Sequence, residues 1–151
     1  MMLPDSAGII FNRGAYNYLM IEIIHKYESL PCPKEALLKA SKSVYRREGV
    51  NLDRSTTVIL CSDCTIRRLN RRYRGKDKPT DVLSFPFGDD DLLGEVYISL
   101  QRAKVQARRF GLTYEEELKR LLIHGLLHLM GYDHHKKAGR EAMEAKERAY
   151  F

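Results

Sequence analysis

The residues best equipped for chemistry stand in one short run, His124-Gly125-Leu126-Leu127-His128-Leu129-Met130-Gly131-Tyr132-Asp133-His134. His124 and His128 are four residues apart, so on a helix they share one face, one turn above the other. Gly131 can end that helix in the left-handed conformation. The chain can then turn and bring His134 back toward the first two. Three imidazoles converging from a helix and the turn after it describe a catalytic zinc site, because three protein ligands leave a fourth position for water. Imidazole also suits nickel, copper and iron, so the spacing alone does not choose the metal.

The spacing parallels the H-E-x-x-H-x-x-G-x-x-H pattern of metalloproteases, where the Glu after the first His is the general base. Here that position is Gly125, which cannot move a proton. A phosphodiester poses a different problem, because the substrate is already anionic. A metal can polarise a phosphoryl oxygen and supply hydroxide, while a nearby arginine stabilises the developing charge. The densest basic run of the chain could supply that arginine: Arg67, Arg68, Arg71, Arg72 and Arg74, followed by Lys76 and Lys78. Charge runs are usually solvated helix faces. This one carries a single sign from Arg67 to Lys76, whereas a surface built for stability mixes signs. Arginine outnumbers lysine in it, which suits bidentate phosphate binding.

Several elements must position these groups. An apolar, β-rich stretch over 18–24 predicts a strand, and Pro31 and Pro33 close the loop after it. The stripe Leu37, Leu38, Ala40, Val44 and Tyr45 predicts a helix over 34–48, stopped by Gly49. Residues 56–61 form a near-continuous apolar run, as in a strand buried on both faces. Asp63 is expected to cap the next helix, with Ile66, Leu69 and Tyr73 facing inward. Residues 81–87 and 93–100 read as two strands joined by a short turn, hence antiparallel. A helix over 100–110 ends at Gly111, and Thr113 and Glu116 form a capping box for the helix that carries His124 and His128. That helix is apolar almost all round, so it belongs in the core, where a metal site can be held rigidly. A charged amphipathic helix over 137–150 follows. The order implies an α+β (α/β-like) fold: a small mixed sheet of about four strands, mostly parallel with one antiparallel, packed with about five helices. The first crossovers are expected to be right-handed.

The chain has 151 residues, which makes one domain the default, here 15–151 after an N-terminal tail over 1–14. Lys and Arg number 26 against 20 Asp and Glu, a net charge of +6 that mildly favours a polyanionic partner. No apolar run reaches membrane-spanning length and no leader pattern opens the chain, so a cytoplasmic protein without membrane contact is expected. Three cysteines argue against a disulfide framework. Cys61 and Cys64 form one C-x-x-C, read as two thiols where a strand meets a helix rather than as a redox pair. His25 is read as a strand-end histidine.

The histidine run closely resembles the signature of the YbeY family, bacterial rRNA-maturation endoribonucleases. Two further stretches carry the same resemblance: Leu69-Asn70-x-x-Tyr73-Arg74-x-Lys76-Asp77-x-Pro79-Thr80-Asp81-Val82-Leu83-Ser84-Phe85-Pro86-Phe87, and Leu93-Gly94-Glu95. It runs from about Ile21 to the C-terminal helix and leaves out the first fourteen or so residues. It implies one zinc ion on His124, His128 and His134, with Arg74 as the functional arginine. The implied function is single-strand-specific endoribonuclease action in 16S rRNA 3′-end maturation and ribosome quality control, with the ribosome or its associated factors as partners. On that basis Arg74 binds or neutralises the scissile phosphate, and Arg67, Arg71, Arg72, Lys76 and Lys78 follow the RNA backbone. Asp133 either orients a ligand histidine or caps the turn. His135 is expected to point away. Two alternatives stay open. One is a metallohydrolase of another substrate, peptides included, marked by a carboxylate such as Glu95 reaching the open metal position. The other is a non-enzymatic ribosome assembly factor with a structural metal.

Overall fold

The computed structural model describes residues 20–133 and 135–151. The expected tail over 1–14 lies outside the described residues, and so does His134. The elements run β1 (Ile21–His25), α1 (Lys34–Arg47), β2 (Ser55–Cys61), α2 (Asp63–Arg74), β3 (Val82–Pro86), β4 (Leu92–Ser99), α3 (Leu100–Phe110), α4 (Tyr114–Leu129) and α5 (Lys137–Ala149). The sheet order is β1-β2-β4-β3. β1, β2 and β4 are parallel, and β3 lies antiparallel at one edge. This is the mixed, mostly parallel sheet with five helices that the sequence predicts.

Alternation along the strands divides the helices between two faces. Val58, Leu60, Val96 and Ile98 join Leu37, Val44, Leu121, Leu122, Leu126 and Leu127 in the main core. Ile59 and Cys61 turn the other way, toward Ile66 of α2 and Leu83 of β3, with Leu69, Phe85 and Tyr97 packed around them. β2 is therefore covered on both faces, which explains its near-continuous apolar run. Two local expectations fail. Ser62, not Asp63, caps α2, its hydroxyl accepting from Thr65 N–H at 3.2 Å. The Asp63 carboxylate instead accepts from Ser99 Oγ and Arg102 Nε. Tyr73 is 59% exposed, edge-on to Phe85 rather than inside.

α4 is the central element. Thr113 and Glu116 make the predicted capping box. At the other end Gly131 has φ 98°, and the N–H groups of Gly131 and Tyr132 donate to the carbonyls of His128 and Leu127. This pair of bonds is a Schellman ending, so the chain leaves the helix directly after the second histidine. Glu117, fully buried in α4, is matched by two hydrogen bonds from Arg120, at 2.9 and 2.7 Å.

Gly125 faces the sheet. A Cβ there would lie 2.5 Å from Val96 Cγ1 and 3.2 Å from Ser84 Oγ, and Ser84 Oγ donates to the Gly125 carbonyl at 3.0 Å. The glycine is thus required by close packing of helix on strand. Gly125→Ala is expected to destabilise the fold, because overpacking costs about 1–3 kcal/mol against ~1 kcal/mol gained by replacing a helical glycine. Gly125→Val should lose more. Urea denaturation of the two variants checks the order.

One carboxylate at the end of α1 gathers groups from α5 and its two flanks. Glu48, the C-cap of α1, accepts from Tyr132 Oη at 2.8 Å and Tyr150 Oη at 2.9 Å, with Lys146 Nζ at 3.3 Å. Burial opposes its ionisation, but the hydrogen bonds from Tyr132, Tyr150 and Lys146 prevail and hold its carboxyl below the ordinary glutamate value of 4.5. A carboxyl depressed in the folded state stabilises fully above its unfolded value and loses that contribution as pH falls through the folded one. Stability is therefore expected to fall below pH 4.5, and less steeply in Glu48→Gln. Thermal melts across that range read the difference.

Candidate metal centre and nucleic-acid interface

His124 and His128 lie one turn apart on α4, both half-buried, with ring centroids 4.8 Å apart and planes at 72°. They open into a cleft of about 430 Å³ whose walls include Arg74, Thr80, Asp81, Ser84, Tyr132, Asp133 and His135. The histidine helix and the arginine at the end of α2 thus meet across the edge strand β3, although fifty residues separate them in the chain. Among the described residues no three metal-ligating side chains assemble; the third predicted ligand, His134, lies outside them.

The donor chemistry fits a metal. His124 Nδ1 is hydrogen-bonded to the Glu147 carboxylate, presented by α5. A carboxylate on one ring nitrogen fixes the orientation and tautomer of an imidazole and leaves the other nitrogen for a cation. Glu147 carries no sequence signal of its own. No helical or strand period relates residues 124 and 147, so only the docking of α5 brings them together. Arg120 lies one turn before His124, and its field reaches Asp81 and Glu147.

The other predicted residues divide. Asp133 Oδ1 accepts from His135 N–H at 2.9 Å, which caps the turn. His135 is exposed and contributes to the lining of the cleft. Glu95 accepts from Tyr97 Oη at 2.9 Å, and both alternate to the face opposite Val96, which meets Gly125 of α4. The sheet therefore separates Glu95 from the histidines. Arg67 is tied to Asp77 by two bonds, Nε–Oδ1 at 2.9 Å and an Nη contact at 3.2 Å. Asp77 follows the basic run directly, so its positive charge is partly answered at its first member. Arg72 sits over the Tyr73 ring, 5.5 Å from its centroid. Arg71, Arg72, Lys76 and Lys78 are exposed, as is Arg74. Cys61 is buried, and burial, reinforced by Asp63, pushes its thiol up to about 12, while Cys64 is exposed. His25 Nε2 donates locally, to the carbonyls of Tyr27 and Leu30.

No helix among the described residues is long and apolar enough to cross a membrane. The model of the family described as Endoribonuclease YbeY matches residues 23–151. A relative of that name from Persephonella marina is 52% identical over 96 residues, covering 59% of this chain and 63% of the relative. One from Aquifex aeolicus is 50% identical over 95 residues, covering 60% and 63%. The match therefore spans less than two thirds of the length of these two relatives. A solution structure from Thermotoga maritima is similar at 35% identity, with a TM-score of 0.62, over 87% of this chain and 86% of that one.

Proposed function

This chain belongs to the YbeY endoribonuclease family, and on that premise we propose that it is a zinc-dependent endoribonuclease that cuts single-stranded RNA. Its substrate is small-subunit rRNA, cut in maturation of the 16S 3′ end and in ribosome quality control, in the cytoplasm and in company with the ribosome. The observation that carries the reading is the one cleft that His124, His128 and Arg74 line together.

His124, His128 and His134 would hold the zinc ion. When bound, it polarises a phosphoryl oxygen and makes hydroxide available at neutral pH. Glu147 holds the His124 ring through Nδ1. Arg74, lining the same cleft, presents a planar, permanently charged fork to the phosphate. Arg71, Arg72, Lys76 and Lys78 extend the cationic surface along which a single strand can run. Gly125 is wedged against β4, and Glu95 lies across the sheet. The peptide-hydrolase alternative therefore finds its carboxylate at neither position.

The test is cleavage of a labelled oligoribonucleotide by zinc-loaded protein, single-stranded against duplex. The expected outcome is cleavage of the single strand alone; equal cleavage of both, or of neither, would overturn the reading. Glu147→Ala is expected to weaken zinc binding by about 10–100-fold, read by competition with a chromophoric chelator, while its circular dichroism stays that of the parent.

A further inference from the structure

A second cavity, of about 390 Å³, adjoins the histidine cleft. Arg74, Thr80 and Asp81 line both, so a single extended ligand can occupy the two together. The cavity adds Lys76 and Lys78 from the loop after α2 and Arg102 from α3. Its lining thus carries four cations with Arg74 against one carboxylate. That carboxylate is already engaged: Asp81 Oδ1 accepts from Val82 N–H at 2.8 Å and Thr80 Oγ1 at 3.3 Å, and Oδ2 from Gln106 Nε2 at 3.4 Å.

The cavity is also built in advance. Asn70, buried, donates from Nδ2 to the Lys78 carbonyl at 2.8 Å, and its own carbonyl accepts from Lys76 N–H at 3.3 Å. The Arg67–Asp77 pair ties the same loop to α2. Arg102 is steadied by Asp63, Nε to Oδ1 at 3.2 Å. Preorganised cations facing a concave space suit a compact anion better than a diffuse polyanionic surface does. Nothing in the basic run over 67–78 pointed to Arg102, because it lies on another helix.

Resting on the RNA-cleavage reading above, we infer that this cavity is a subsite for the backbone phosphate next to the scissile one. Arg102, Lys76 and Lys78 hold that phosphate, and the shared wall at Arg74 sets the step between the two phosphates. The subsite fixes the register of the strand, so that one linkage is presented to the histidines.

Binding of a single-stranded oligoribonucleotide to the full chain, followed by fluorescence anisotropy over a range of salt, tests this. Arg102→Gln and Lys78→Ala are expected to weaken binding about tenfold each and to lower the slope of log K against log salt by ~0.7 for each phosphate charge left unneutralised. Lys39→Ala, an exposed cation on α1, serves as control. A single uncharged methylphosphonate next to the cleavage position should cost the parent more than either substitution does, and should cost Arg102→Gln and Lys78→Ala less than it costs the parent. If the parent cuts RNA but Arg102→Gln and Lys78→Ala behave like Lys39→Ala, the subsite is wrong and the cleavage reading stands. If the parent neither binds nor cuts RNA, both fall.

Discussion

His128→Ala is expected to lose its zinc and to cut RNA no faster than a protein-free control. His128 contributes to the site and little to the core. Its neighbours Leu127 and Leu129 carry the burial, while its own ring is half-buried beside the cleft. The helix is held from outside the histidine by its capping box, the Schellman ending and the Ser84–Gly125 bond. The fold should therefore survive the substitution, and a loss of function reports on the site. Removing one of three imidazoles leaves too few protein ligands to hold zinc in a catalytic arrangement. Elemental analysis should find about one zinc per chain in the parent and almost none in the variant. His128→Asn keeps a polar side chain of related shape and should fail equally, which separates ligation from packing.

Arg74→Ala is expected to show a different pattern: kcat lower by about 10²–10³, with zinc content unchanged. Arg74 is exposed in the last turn of α2, so its removal should shift stability by less than about 0.5 kcal/mol. Its role is to place a fixed cation where negative charge develops. Arg74→Lys keeps the charge and loses the fork, so it should recover only part of the rate. Steady-state kinetics on a short single-stranded substrate, with zinc measured on the same samples, distinguish this from a metal-site defect. A parallel loss of zinc in Arg74→Ala would mean that the arginine supports the histidine site rather than the phosphate.

Much of the fold was legible in the sequence because its elements carry strong local signals. Thr113 and Glu116 mark the start of α4, Gly131 its end, and the apolar run in β2 announces a doubly covered strand. The helical spacing of His124 and His128 was legible in the same way, whereas Arg74 was singled out through the family resemblance of the Tyr73–Arg74 pair. What was not legible depends on tertiary docking. Tyr73 fits the inward stripe of α2 by period, but in the fold its ring lies edge-on to Phe85 and stays 59% exposed. Asp63 has the chemistry of a cap, yet Ser62 takes that place because Asp63 is drawn to Ser99 and Arg102. Glu95 alternates correctly within β4, but only the finished sheet shows that its side faces α2 and not α4. Glu147 and Arg102 have no local pattern at all; α5 and α3 bring them in.

Gly125 gains a second meaning from the fold. By sequence it marks the absence of a protease-like base. Its position against Val96 and Ser84 shows that even a Cβ there forces a neighbouring group to shift. The departure from the protease pattern and the close seating of the histidine helix are thus one feature.

The most direct test is the rate of single-stranded RNA cleavage by the purified chain before chelation, after chelation and after return of one equivalent of zinc, with His128→Ala carried through the same steps. The expected result is activity that disappears with the metal and returns with zinc in the parent alone. Cleavage that survives chelation, or that is equal in parent and variant at every step, would contradict a zinc-dependent site on α4.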